Sequence, residues 1–461
     1  MQRFLGIPYA TAERFGPPVL LPFSRGAGGH GPVAPQPPSR LRSALGDFDR
    51  PQGEDCLTLT IATPGIEGRR PVMVFLHGGA YWTGGGSLDW YDGGVLAGEN
   101  GVVVVGVNYR LGALGFLAHP EVSPGNLGIA DMVAALHWVR AHVGEFGGDP
   151  EAVTVVGQSA GAHAIMWLLA HPEGEGLFRR AVLMSAPPAM VPQSRARAAE
   201  YAEFMAAGLG VPVGRLRDAP ATVLVEAGVQ LARATARFAD IAPPFMPVSD
   251  TLSDTAPFLA AAASGAVSRG VALVIGTTRE EMHAFFAADP AMAAPSAAET
   301  EAKFAELAGD PAAMGLYQWR RPGGATWELL GDLVTDYVFL FPSLALADAV
   351  TRAGGACFAY QFDWSAPGSR LRACHCIDLP FLFGNPAAWA AAPMLAGGDI
   401  TGLSAAFRAC IAGFVTAGDP STAGLPWAGY RPGSRTTMVF GEVTGPAGDP
   451  AGVGWRAGFD G

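Results

Sequence analysis

Short, nearly continuous apolar runs alternate along the chain with stretches of helical periodicity. Residues 72–76 run into His77-Gly78-Gly79, 102–107 into Asn108-Tyr109-Arg110, and 153–156 into Gly157-Gln158-Ser159. Further on, 181–184 run into Ser185, 271–275 into Gly276-Thr277-Thr278, and Cys357–Phe362 into Asp363-Trp364. Runs of this length predict strands covered on both faces. Between them, residues 129–142 place Met132, Ala135, Leu136 and Val139 on one helical face, and Ala160–Ala170 reads as a second helix. Strand alternating with helix predicts an α/β fold with a mostly parallel, doubly wound sheet. Residues 1–50 are rich in proline and glycine and read as irregular. Residues 195–350 are alanine-rich, with helix-like stretches such as 256–266 around one strand near residue 273. They are expected to form helices inserted over the C-terminal edge of the sheet, within one domain spanning 1–461.

Composition narrows the chemistry. The balance of 49% hydrophobic and 15% charged residues is that of a globular chain. A net charge of −11 argues against a nucleic-acid partner. Lys303 is the sole lysine, and it follows Ala302 rather than the glycine of a phosphate-binding loop. Thr300 stands where a Ser-x-x-Lys hydrolase needs serine. The polar surroundings of Lys303 also offer no burial to lower its pKa for Schiff-base chemistry. The five cysteines are an odd, sparse set, which argues against a disulfide framework. The N-terminus lacks the apolar segment of a signal peptide, and no uninterrupted apolar run reaches about 18 residues. A cytoplasmic protein without a membrane span is expected.

Gly157-Gln158-Ser159-Ala160-Gly161 fits Gly-x-Ser-x-Gly and sits directly between an apolar strand and a helical pattern. There a sharp strand-turn-helix holds the serine exposed as a nucleophile. Such a serine needs a base, and the base needs an orienting carboxylate. Of the nine histidines, four follow Ser159. His163 and His171 lie on the helix leaving the turn, and His283 lies beside the acid candidates, so His375 remains. The acid should follow the strand at 271–275, where Glu280 and Glu281 both qualify and spacing does not separate them. The Ala160 amide, with those of the His77-Gly78-Gly79-Ala80 loop, is suited to an oxyanion hole, with His77 as a loop anchor. Tyr81, Trp82, Phe381 and Phe383 are candidate pocket residues. No charged cluster flanks Ser159 in sequence, so neutral, apolar, small to medium esters are the expected substrates. Cys374-His375-Cys376 is too closely spaced for a zinc site, and no metal or cofactor is implied.

These residues resemble the carboxylesterase/cholinesterase (type-B carboxylesterase) family of serine esterases, nearest in style to the bacterial para-nitrobenzyl esterases. The match is carried by Gly6-Ile7-Pro8-Tyr9-Ala10, Arg14-Phe15, Glu54-Asp55-Cys56-Leu57 and His77-Gly78-Gly79-Ala80. It continues through Asn108-Tyr109-Arg110-Leu111-Gly112, Gly125-Asn126-Leu127-Gly128, Phe146-Gly147-Gly148-Asp149-Pro150, the Ser159 motif and Phe381-Leu382-Phe383-Gly384. The resemblance implies an α/β-hydrolase fold with a helical insertion over the active site. It implies Ser159, Glu281 and His375 as the triad, and Gly78, Gly79 and Ala160 as the oxyanion hole. It further implies structural ion pairs Arg14–Glu54 and Arg110–Asp131, and a Ser185 near the acid. Three features depart from the family. Met282 and Cys376 replace glycines usual after the acid and the histidine. Cys56 loses its customary disulfide partner, Ala34 standing in that region, and so should be free. The N-terminal hairpin is nearly absent, which predicts a shorter sheet edge. A monomer acting on a small-molecule ester is the expectation. The rival readings are a non-catalytic binding protein of the same fold, and an amidase, lactonase or transesterase using the same site.

Overall fold

The computed structural model describes residues 1–26 and 28–452. The apolar runs become strands whose alternate side chains feed two different cores. On β3, Val72, Val74 and Leu76 enter one core while Met73 and Phe75 enter the other. Val103, Val105 and Val107 are likewise separated from Val104, and Ala181 and Leu183 from Val182 and Met184. Both faces are therefore covered, which is why these strands are written as continuous apolar runs.

The ten strands of this sheet are β1 (Gln2–Pro8), β2 (Thr58–Thr63), β3 (Arg70–Leu76), β4 (Val103–Val107), β5 (Gly148–Gln158), β6 (Arg180–Met184), β7 (Ala272–Thr278), β8 (Cys357–Phe362), β9 (Thr436–Phe440) and β10 (Gly445–Gly448). Their spatial order is β1-β2-β4-β3-β5-β6-β7-β8-β9-β10. From β4 to β9 all pairings are parallel, and the two edges are antiparallel. This is the large, mostly parallel sheet of an α/β-hydrolase. Helices α1 (Leu127–His142) and α2 (Ala160–Ala170) contribute to one core, and α9 (Thr401–Ala417) to the other.

The sheet departs from the sequence reading at its edges. Residues 2–8, read as irregular, form β1, paired antiparallel to β2 with a register shift between Phe4 and Ile7. Gly6, at φ +59°, sits in that shift. Strand β9 was also missed, since a run of five residues in a polar, glycine-rich tail carries little signal.

Between β6 and β8 the chain is mostly helical: α3 (Arg195–Leu209), α4 (Ala221–Thr235), α5 (Thr255–Ser268), α6 (Ala297–Ala308), α7 (Thr326–Val334) and α8 (Phe341–Arg352), with β7 inside the series. Lys303 differs from expectation. It is buried on α6, its ammonium 3.2 Å from the exposed Glu306 carboxylate. Burial on the apolar side of an amphipathic helix lets the stem pack while the tip reaches water. The helical stretch Thr326–Arg352 is long and apolar enough to cross a membrane, but two-thirds of its apolar window is buried within the protein. Its Asp332 and Asp336 pair with Arg321 (2.8 Å) and Arg320 (3.3 Å), as in a core helix.

Two ion pairs join segments that are distant along the chain. Arg110 holds Asp131 through two bonds of 2.8 and 2.7 Å, both groups buried. Arg14 Nε donates to Glu54 at 2.8 Å. Cys56 is a buried free thiol, and burial pushes its pKa up to about 12.

Candidate active site

The loops that carry the candidate chemistry leave the carboxyl ends of β3, β5, β7 and β8, the edge where open α/β sheets bind ligands. At the end of β5 the chain turns into α2 with Ser159 at φ +56°, ψ −121°. A side-chain-bearing residue in this conformation is strained and must be held. The Ser159 amide donates to Met184 O on β6 (2.9 Å), and its carbonyl accepts from His163 N–H (2.9 Å). The glycines give the turn its room: a Cβ on Gly157 would meet the backbone of Gly161, and one on Gly161 would meet the Leu76 carbonyl. Gly161→Ala is therefore expected to destabilise the fold by about 1–3 kcal/mol, read as a lowered urea midpoint. An unchanged midpoint would contradict this close packing.

His375 lies in the loop after β8 and is fully buried. Its Nδ1 is 2.6 Å from Glu281 Oε2, and its backbone N–H donates to the Glu281 carbonyl (3.2 Å). The other Glu281 oxygen accepts from Thr278 N–H at 2.7 Å. With Nδ1–H given to the carboxylate, Nε2 keeps its lone pair. The Gln158 side-chain amide nitrogen lies 3.2 Å from that Nε2, a donor suited to the same tautomer. Phe285 and Phe339 flank the ring, with centroids 5.4 and 5.2 Å away.

Glu280 goes elsewhere. It faces Arg321 at 3.4 Å and accepts from Ala373 N–H, and burial raises its pKa. Geometry thus separates two neighbouring carboxylates that spacing left equivalent. Ser185, at φ +47°, has a buried hydroxyl with no partner among the described residues, so it makes no hydrogen bond to Glu281.

The His77 loop is wound tightly, with Gly79, Ala80 and Tyr81 all at positive φ. His77 stacks on Tyr109 (4.3 Å), bonds the Gly78 carbonyl through Nδ1, and has its pKa lowered to about 4 by burial. Among the described residues, the Gly78, Gly79 and Ala160 amides donate to no protein acceptor. A Cβ on Gly78 would sit 3.0 Å from Ser159 Cβ, so this loop passes directly beside the serine. Ala160 also opens α2, whose N-terminal end favours negative charge.

Ser159, Gly79 and Ala160 line one cavity. Tyr81 and Trp82 line it too, whereas Phe381 and Phe383 do not. These two phenylalanines pack in the core against Phe362 and Phe75 (4.8 and 4.9 Å). Sequence reading missed Leu41, Ile241, Met246, Phe285 and Phe339 on the cavity wall, residues joined only by the fold. It also set His163 aside, yet this residue lines the cavity, bonds the Tyr81 hydroxyl at 2.7 Å and has its pKa lowered to about 4 by burial.

The two replaced glycines differ. Met282 has φ −74°, which any residue adopts, and its side chain is buried with Phe286 and Leu330. Cys376 sits at φ +73°, a left-handed conformation that explains glycine's fitness there.

A model of the carboxylesterase family matches residues 1–445. The chain belongs to the carboxylesterase family. It is 38% identical over 412 residues to a probable N-octanoylanthranilate hydrolase of Rhodococcus erythropolis, covering 85% of this chain and 83% of that one. It is 33% identical over 465 residues to the para-nitrobenzyl esterase of Bacillus subtilis, covering 96% and 92%. Among solved structures, a Geobacillus stearothermophilus carboxylesterase superposes with a TM-score of 0.85 at 32% identity, covering 98% and 95%. This carboxylesterase is a carboxylic ester hydrolase.

Behind His375 lies a further carboxyl group, Asp378, which receives a 2.7 Å hydrogen bond from Tyr360 on Oδ2 and has no partner on Oδ1 among the described residues. Burial pushes its pKa up to about 7. A carboxyl whose folded pKa exceeds its unfolded value binds more protons when folded, so stability falls as pH rises from about 4 to about 7. Asp378→Asn should shrink this fall, measured as the difference in urea midpoint between pH 4.5 and 7.5. Equal falls in the two proteins would contradict a neutral Asp378.

Proposed function

We propose that this carboxylesterase cleaves small to medium esters with an apolar body, with Ser159 as nucleophile, His375 as general base and Glu281 as its orienting acid. The observation that carries the reading is the 2.6 Å Glu281–His375 bond beside a strained, partly accessible Ser159 that lines an apolar cavity. Ser159 Oγ attacks the carbonyl carbon as Nε2 of His375 takes its proton. The Gly78, Gly79 and Ala160 amides, free of protein acceptors among the described residues, take up the oxyanion. The imidazolium returns the proton to the leaving alkoxide, and Glu281 stabilises the charge while fixing the tautomer. Water, deprotonated by His375, then releases the acid from the acyl-enzyme.

The chain reads as one catalytic unit, with its helix-rich region at 195–350 acting as a cover. Ile241, Met246, Phe285 and Phe339 from that region support this by walling the cavity. The five free, buried cysteines suit the reducing cytoplasm.

The test is release of para-nitrophenol from the acetate, butyrate and octanoate esters. Turnover of at least one is expected, and an inert protein would overturn the reading. A second reading, amide hydrolysis, is favoured by the relative whose name gives it an N-octanoyl substrate. Octanoyl para-nitroanilide set against para-nitrophenyl octanoate separates the two, and the ester is expected to react faster.

A further inference from the structure

The Ser159 cavity adjoins a larger outer cleft, with Pro38, Arg40, Trp82, Met190, Pro243 and Met246 on the walls of both. Four arginines, Arg40, Arg197, Arg233 and Arg237, line that cleft against one carboxylate, Asp240. In a chain of net charge −11 this is a local inversion of sign. Arg197 lies 3.6 Å from Glu200. Arg40, Arg233 and Arg237 form no ion pair among the described residues.

Arg40 is the residue of this set that reaches the inner cavity. It is exposed to the cleft, and the guanidinium donates to the Ile241 carbonyl at 2.9 Å. That is its single hydrogen bond among the described residues, and a guanidinium carries five N–H donors in a planar fork. Burial of the group among its neighbours lowers its pKa, and the charge of Asp240 acts in the opposite direction. The rest of the inner wall is mostly apolar, with Ser39, Thr83, Ser159 and His163 among its polar residues and no second arginine or lysine, so an anionic group entering it has one guanidinium to meet.

From this placement we infer that the enzyme selects esters carrying a carboxylate away from the scissile bond, and that Arg40 receives this carboxylate where the inner cavity meets the outer cleft. The inference rests on the esterase reading and replaces the expectation of a neutral substrate with an apolar body bearing one anionic end. The arginine fork matches a carboxylate in two parallel bonds. Arg233 and Arg237 raise the local concentration of anions at the mouth. The sequence could not reveal this, because Arg40 and residues 233–237 are almost 200 positions apart.

The test uses two matched pairs. Mono-para-nitrophenyl suberate is compared with para-nitrophenyl octanoate, and 4-(octanoyloxy)benzoate with 4-(octanoyloxy)benzamide. In at least one pair the acid should exceed its neutral partner in kcat/KM by about tenfold or more. The responsive pair tells whether the acyl or the alcohol arm faces Arg40. Arg40→Met should abolish the advantage and Arg40→Lys should keep part of it. Added salt should lower kcat/KM for the acid alone. The exposed double variant Arg233→Glu with Arg237→Glu should also reduce the advantage, which covers a misfolded Arg40 variant. Cleavage of the neutral esters with no acid preference, or a preference that survives in Arg40→Met, would overturn the inference and leave the esterase standing. Cleavage of none of the four would overturn both.

Discussion

Ser159→Ala is expected to lower kcat/KM for para-nitrophenyl butyrate by about 10³-fold or more while leaving the thermal midpoint near that of the parent. The loss follows from chemistry that no neighbour replaces. His163, the imidazole on the cavity wall, has its ring bonded to the Tyr81 hydroxyl and is no nucleophile for an acyl group held at Ala160. The midpoint should hold because Ser159 is anchored through its backbone, to Met184 O and His163 N–H, and no hydrogen bond of its hydroxyl supports the fold among the described residues. His375→Ala should match the loss, and the double variant should be little worse than either, since in the proposed mechanism base and nucleophile act as a unit. Full additivity would mean that the two residues act separately.

The second large effect separates two adjacent carboxylates. Glu281→Gln should reduce kcat by about 10³- to 10⁴-fold, because an amide facing Nδ1 favours the wrong tautomer and offers no charge to the imidazolium. Glu280→Gln should reduce kcat by less than about tenfold and act mainly on stability. Its carboxylate serves Arg321 and the Ala373 amide rather than His375. Comparable kcat losses in both variants would contradict the assigned geometry. The side-by-side comparison matters because both groups are buried and one residue apart, so a general disturbance of the β7 loop would affect both.

What the sequence made legible follows from how each feature is written in it. A strand covered on both faces leaves an uninterrupted apolar run, so β3, β4, β5, β6, β7 and β8 could be read directly. Strands β1 and β9 could not, because one is broken by Gly6 and the other mixes Thr436 and Thr437 with three apolar residues. The Ser159 turn was legible because all its parts are consecutive. The choice between Glu280 and Glu281 depends on a loop returning from β8, information absent from the local spacing. Phe381 and Phe383 illustrate the reverse, an aromatic block beside a site motif that packs into the core. The cavity wall came from segments around residues 40, 190, 243 and 339, and only tertiary contact brings them together.

In the proposed mechanism an acyl group passes through Ser159. The most direct measurement of this is intact-mass and peptide mapping after treatment with a para-nitrophenyl phosphate triester, which leaves a stable diethylphosphoryl group on an activated serine. One adduct per chain, located on the peptide bearing Ser159, formed in step with loss of esterase activity and absent in Ser159→Ala and His375→Ala, is the predicted result. An adduct mapped to another residue, or complete inactivation with no adduct on Ser159, would contradict it.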